Sequence, residues 1–355
     1  MPPLPSLLGT CRAPAQPSGD TAPDDPRGSD DPRGSDDPRG FDAALGDAEL
    51  QAARAALARG RWQPVRSLLA HTGDEWDRRG HRITVLAQEP YTEARVREWL
   101  LAEPGSADAT ALLALTQVHR ALTGREEPDR ARAACHAAAT LAPADPTPWL
   151  GLLLLARALG PEPELWRAFA ELRLRHPEHH HGHHLIVAAL AERPAAARPE
   201  SHEAYDLAEH AAAQAPADSP LAVLPVVAHT ERHRHLAATG LAPADPAAAG
   251  HWGGRRARRA LRAAFDWWLE WEHDDHPRRH LDLNHLAFAM SAAGRPAEAA
   301  ALFHRIGPHA TREPWCHLGG DPRTAFHEAR ARALGLPNSD IRPDPLAPPA
   351  PTVFE

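Results

Sequence analysis

The stretch "HPEHHHGHHLIVAAL", residues 176 to 190, packs six histidines into nine positions and then turns apolar. Imidazole is a common zinc ligand and the side chain whose charge changes nearest neutral pH. The run therefore offers a metal site, a proton-responsive junction, or a seam between two structural units. On a helix His180 and His184 share a face, as do His179 and His183, and an i, i+4 pair is a usable metal-ligand spacing. A structural zinc wants four ligands, and only Glu178 lies nearby to extend the set. Protonated imidazoles in a first helical turn would also meet the positive end of the helix dipole. The default is a solvated turn, with His180 and His184 as the metal pair held in reserve.

Other polar clusters carry less chemistry. "SHEAYDLAEH" and "HTERHRHL" lack the HExxH order, since His202 and Glu203 lead to Leu207 and Ala208; His229 and His233 form one more i, i+4 pair in a chain with 24 histidines. "EHDDH" (272 to 276) is expected to be a polar connection. In "GGRRARRALRAAFDWWLEWEHDDHPRRH" (253 to 280), Leu261, Ala264, Phe265, Trp267, Trp268 and Trp271 fall within an arc of about 160° at about 100° per residue. Arg255, Arg258, Arg259 and Arg262 lie mostly opposite, so the segment is an amphipathic helix with Trp267 at the edge of its apolar arc and available to a partner. No P-loop, no GxGxxG after a strand, no GxSxG elbow and no metal triad is present, so neither an enzyme activity nor a cofactor is expected.

Composition narrows the class. All 39 basic residues of the 355-residue chain are arginine, a bias of the kind a GC-rich genome imposes, and 47 acids leave a formal charge of −8. That balance argues against a general attraction to nucleic-acid phosphates. Cys11, Cys135 and Cys316 lie far apart without CxxC spacing, which indicates neither a disulfide framework nor a cysteine zinc site and fits a reducing cytoplasm. No apolar run reaches the roughly 18 to 20 residues that a membrane span needs, and the first residues lack the charged and apolar regions of a signal peptide.

The elements that must position these side chains are helices. Residues 1 to 41, with "DPRGSDDPRGSDDPRG" at 25 to 40, and residues 337 to 355 read as disordered tails. From 42 to 336 apolar residues recur at three- and four-residue spacing. Asp145-Pro146, Ser219-Pro220, Asp245-Pro246 and Asp321-Pro322 mark helix starts, and Gly60, Gly124, Gly160, Gly240 and Gly294 mark stops. A quartet with spacings of four, three and five recurs: Ala131, Cys135, Ala138, Pro143; Leu165, Phe169, Leu172, Pro177; Ala204, Ala208, Ala211, Pro216; and more weakly Thr92, Val96, Trp99, Pro104. Each describes one packing face of a helix followed by a stop, with the prolines 39, 34 and 39 residues apart.

Repeated helix, glycine turn and helix resembles the tetratricopeptide repeat (TPR) family. The resemblance covers about 42 to 310 and is closest in "PTPWLGLLLLARALGPEPELWRAFAELRLRHPEH" (146 to 179) and "LNHLAFAMSAAGRPAEAAALFHRI" (283 to 306). Leu153 and Leu165 depart from the smaller residues usual in the family. The resemblance implies an all-α fold, a right-handed α-α superhelix whose stacked pairs share one continuous core. Its concave face implies a non-enzymatic scaffold for another protein or a peptide, lined in the closest copy by Thr147, Leu150, Leu154 and Arg157. Leu150 and Leu154 stand where chaperone-binding members carry Lys and Asn, so an amphipathic helix suits that groove better than a terminal carboxylate. The alternative is a metal-dependent enzyme or helper built around the histidines on the same helical frame, which needs three or four ligands converging in space.

Overall fold

Four helices stop two residues short of the quartet prolines, and the first three members of each quartet lie on the face that the helix turns inward. The helices are α1 (Ala48–Ala58), α2 (Gln63–Thr72), α3 (Trp76–Leu86), α4 (Thr92–Ala102), α5 (Ala107–Leu122), α6 (Pro128–Leu141), α7 (Thr147–Leu159) and α8 (Glu162–Arg175). They continue as α9 (His180–Ala191), α10 (Glu203–Gln214), α11 (Leu224–Ala238), α12 (Arg255–Glu270), α13 (Arg279–Ala292), α14 (Pro296–Ile306) and α15 (Pro322–Leu334). This computed structural model describes residues 41–194, 202–271 and 275–336, among which no strand occurs. The two tails expected from composition lie outside the described residues, apart from Phe41. On α4, α6 and α8 all three quartet residues are buried; on α10 Ala204 and Ala208 are, and Ala211 is half-buried. A proline cannot continue a helix and disfavours helical backbone before it, which is why these four end where they do.

Helix boundaries follow local chemistry. Ser106 caps α5 by accepting from the Ala109 N–H, and Asp321 caps α15 by accepting from Thr324. Asp145 accepts from the Thr147 N–H at 2.7 Å and opens α7, while Ser219-Pro220 opens a short 3₁₀ turn, Pro220–Val223, that leads into α11. Asp245-Pro246, expected to start a helix, opens an irregular turn instead; Ala247 N–H bonds back to Asp245 and the chain stays non-helical until the 3₁₀ turn His251–Gly253. Gly60, Gly124, Gly240 and Gly294 take the left-handed backbone that ends a helix, whereas Gly160 ends α7 in an extended conformation.

Neighbours in sequence pack as neighbours in space, with α5 on α6, α7 on α8, α9 on α10 and α13 on α14. In an open solenoid each repeat touches only the next, and here the series also closes on itself. Helix α3 packs against α5, α7 and α9, and Arg78 Nη2 reaches Asp275 Oδ2 at 3.0 Å. At the same junction Gly46 stands beside His309 and His280, and the Arg323 guanidinium lies 5.9 Å from the Phe41 ring centre. The core departs from one continuous spine. One large apolar cluster runs from Ala44 to Ile186 and another from Val223 to Phe326 and Ala329, with two small ones beside α10. Polar side chains of α3, α9 and α13 occupy the interior between them. No helix among the described residues is long and apolar enough to cross a membrane.

Helix α7 is buried nearly all round: Thr147, Leu150 and Leu154 are closed to solvent, and Arg157 pairs with Glu192 at 3.4 Å. The first three, expected on an open groove, are packing residues here, because α3, α5 and α9 cover that side of α7. Leu150→Ala should accordingly cost about 2–5 kcal/mol, the usual range for truncating a core leucine. A urea midpoint unchanged by the substitution would place Leu150 on an open surface instead.

Candidate metal centre

Helix α9 begins on an acid borrowed from a distant helix. Asp77, in the first turn of α3, accepts the backbone N–H of His180 through Oδ1 at 2.9 Å and the His176 ring through Oδ2 at 2.9 Å. The His179 ring caps the same turn by accepting from the Gly182 N–H at 3.2 Å. With its end fixed in this way, α9 turns His180 and His184 toward α13. His180 Nε2 lies 2.8 Å from Asp282 Oδ2 and His184 Nε2 lies 3.4 Å from Asp282 Oδ1, with the two imidazole centres 4.1 Å apart. The expected solvated turn is therefore overturned: His179, His180, His183 and His184 are buried, because α9 packs on α3, α7, α8 and α11.

The third contributor comes from the stretch read as a polar connection. His276, just before α13, sets its ring 4.5 Å from that of His180, tilted by 44°, and places Nε2 3.5 Å from Asp77 Oδ2. His180, His276 and Asp282 each present a ligand atom, and the three atoms lie within 4.8 Å of one another. A metal ion bonded to all three at about 2.0–2.2 Å spaces its ligands at about 3–4 Å, so small ring rotations close the set. Two imidazoles and one carboxylate suit zinc and other first-row divalent ions, and three protein ligands leave positions open.

The protonation states suit ligation. Burial pushes the His180 imidazole well below its ordinary value, outweighing the attraction of Asp282, so the ring is neutral at pH 7. Burial opposes ionisation of Asp282 in turn, and the interactions with His180 and His184 overcome it and hold the carboxyl far below its usual range. Asp77 is likewise kept ionised against its burial by the hydrogen bonds from His176 and His276. His276 Nδ1 accepts the Arg278 N–H at 3.2 Å, which puts the ring proton on Nε2. A ligand role for Nε2 would require the ring proton on Nδ1, away from the Arg278 amide. His180 Nδ1 is buried and bonds to nothing among the described residues.

The histidine pair 180 and 184 is thus brought to one acid, Asp282, while Asp77, His276 and Asp282 were not legible from spacing, since they lie about 100 residues from the run on either side. The nearest signal is in α13, "RHLDLNHLAFAMSA", where His280, Asp282, Asn284 and His285 interrupt a helix buried on almost every side. The second i, i+4 pair, His229 and His233, is also buried; His229 Nδ1 stands 3.3 Å from His251 Nε2 and its ring stacks on Tyr205 at 4.1 Å. His202 caps α10 by accepting from the Ala204 N–H. Trp267 is half-buried and spends its indole N–H on the Ala217 carbonyl at 2.8 Å, while Arg256 and Arg259 pair with Glu209. Comparison with protein-family models, with curated proteins and with solved structures found no match, so the chemistry of the centre is argued from its geometry.

Burial also lowers imidazoles away from the ligands: His183 and His251 to about 4 and His229 to about 3, against 6.5 for the free side chain. The unfolded chain then binds more protons than the folded one between those values, so stability is full above about pH 6.5 and declines toward pH 4. The urea midpoint should fall steadily from pH 7 to pH 5. A midpoint that stays level across that interval would contradict the burial of these rings.

Proposed function

We propose that the protein binds a divalent transition-metal ion in its interior through His180, His276 and Asp282, and that the ion serves as a reactive or ligand-accepting centre in an otherwise helical-repeat frame. The observation that carries this reading is the convergence of three ligand atoms within 4.8 Å, one from α9 and two from the start of α13, with the imidazole of His180 neutral and the Asp282 carboxylate ionised. A purely structural zinc site uses four protein ligands, whereas sites that do chemistry keep a position free. Asp77 acts as the positioning acid through the end of α9, where it accepts the His180 N–H at 2.9 Å and so sets the direction of the His180 ring.

The frame itself we read as a TPR-like superhelix drawn closed by the α3 to α9 contacts, supported by the successive helix pairs and by the quartet prolines at the helix ends. A scaffold for a protein or peptide has less support. Thr147, Leu150 and Leu154 are spent on packing, and Arg157 and Trp267 hold partners inside the chain. A cytoplasmic setting is the companion proposal, resting on composition.

Titration calorimetry with zinc decides the matter. The wild-type chain should take up one zinc per molecule, and His180→Ala and Asp282→Asn should each weaken it by about tenfold or more, with Asp77→Asn, which loosens the start of α9, weakening it by less. Leu207→Ala, on α10 and outside the ligand set, controls for general damage. Equal zinc affinity in the wild type and the His180→Ala chain ends the proposal.

A further inference from the structure

The single-ion centre uses one oxygen of Asp282 and leaves the other. Oδ2 meets the His180 ring at 2.8 Å, whereas Oδ1 is closed off from solvent and makes no hydrogen bond among the described residues. His184 Nε2 stands 3.4 Å from that oxygen and is in the same condition, buried and bonded to nothing among the described residues. Leaving two enclosed polar atoms unsatisfied is costly when they lie so close together. A cation between them would satisfy both, and 3.4 Å lies inside the spacing of about 3–4 Å that two ligands of one ion adopt.

A third such atom belongs to the next turn of α13. His285 follows Asp282 by three residues and so shares its side of the helix, and its ring centre lies 6.1 Å from that of His184, edge to face. Its Nδ1 is buried and bonds to nothing among the described residues. Two imidazoles on one ion, each at about 2.0–2.1 Å, hold their ring centres about 5–6 Å apart, so the His184 and His285 separation fits a pair on one ion. The 4.1 Å between the rings of His180 and His184 does not. These two lie side by side, and each addresses its own oxygen of Asp282. Ions in two-metal sites stand about 3.5–4 Å apart, which matches the offset between the two rings.

We propose that the centre is binuclear: Asp282 bridges two divalent ions, the first on His180 and His276 and the second on His184 Nε2 and His285 Nδ1. This rests on the metal reading for the first ion and adds a neighbour to it. The second position is the weaker one. Its carboxylate oxygen is shared, its two imidazoles must turn to close on the ion, and the two cations repel across about 4 Å. Uptake is therefore stepwise, with the first equivalent filling His180, His276 and Asp282 and the second entering at higher metal concentration. Imidazole nitrogen with carboxylate oxygen suits zinc and cobalt. The gap between paired ions takes an oxygen ligand, either hydroxide or an oxyanion of a substrate.

The probe is cobalt(II), titrated into the metal-free full-length chain and followed by calorimetry and by electron paramagnetic resonance. The wild type should take up one cobalt and then a second with affinity about tenfold or more weaker, and the signal of the first should change as the second couples to it through the shared carboxylate. His184→Ala and His285→Ala should each remove the second step and the coupling while leaving the first affinity within about threefold. Circular dichroism of each variant controls for folding, and the coupling in the wild type needs no variant. A second cobalt that leaves the first signal unchanged, or that survives both substitutions, is bound elsewhere among the 24 histidines and overturns the proposal. Uptake of a single cobalt up to millimolar metal overturns it too and leaves the one-ion reading standing, whereas no uptake at all removes both.

Discussion

The bond between Asp77 and the first amide of α9 is the constraint on which the interior depends. A helix leaves its first N–H groups unsatisfied, and they are ordinarily capped by a residue immediately before them. Here one is satisfied by a carboxylate from α3, 103 residues earlier in the chain. That bond fixes where α9 starts, and through the 3.6-residue period it fixes which way His180 and His184 face. The same carboxylate receives the His176 ring and lies beside His276, so three pieces of chain are set against one another by one buried charge. Burying a carboxylate is unfavourable by several kcal/mol unless hydrogen bonds compensate, and these donors are what make the position tenable.

The arrangement gives the interior a different character from the rest of the repeats. Outside α3, α9 and α13 the helices meet through Leu, Ala and aromatic side chains, as in the stacked rings of Trp62 and Trp99, 5.6 Å apart. Between the two large apolar clusters the contacts are imidazole to carboxylate and arginine to carboxylate. Apolar contacts hold neighbouring pairs together without specifying much about direction, whereas hydrogen bonds at 2.8–2.9 Å fix both distance and angle. The closing of the helical series therefore rests on the directional contacts that also build the centre.

Much of the frame was legible in the sequence, and the reasons are local. The prolines at 104, 143, 177 and 216 end α4, α6, α8 and α10 because their ring forbids continuation, a property carried by the residue itself. The amphipathic arc of α12 buries Leu261, Ala264 and Trp268 as its periodicity implied and leaves Phe265, Trp267 and Trp271 half-buried. Asp245-Pro246 shows the limit of the same logic: a cap and a proline favour a helix start but need an apolar face to follow, and "AAAGHWGG" supplies none. The site was half legible. The histidine run announced its side chains, yet adjacency could not distinguish a solvated turn from a buried one, since that depends on α3, α7 and α11 arriving from elsewhere. Asp77 lies on α3 and His276 and Asp282 at the start of α13, each about 100 residues from the run, and only the fold makes them a set.

One residue in the run carries no ligand atom and nonetheless governs the ligands. Gly182 interrupts five histidines, and a methyl group built on it would stand 2.4 Å from Leu172 Cδ2, a side chain of α8 that is itself fully enclosed. The bare backbone at that point works as a depth stop, letting α9 settle against α8 until the imidazoles two residues to either side come level with the acid opposite. The spacing of the donors is thereby set partly from behind, by a neighbour on the far flank of the helix, and the reach of the centre is tuned by a side chain that is missing.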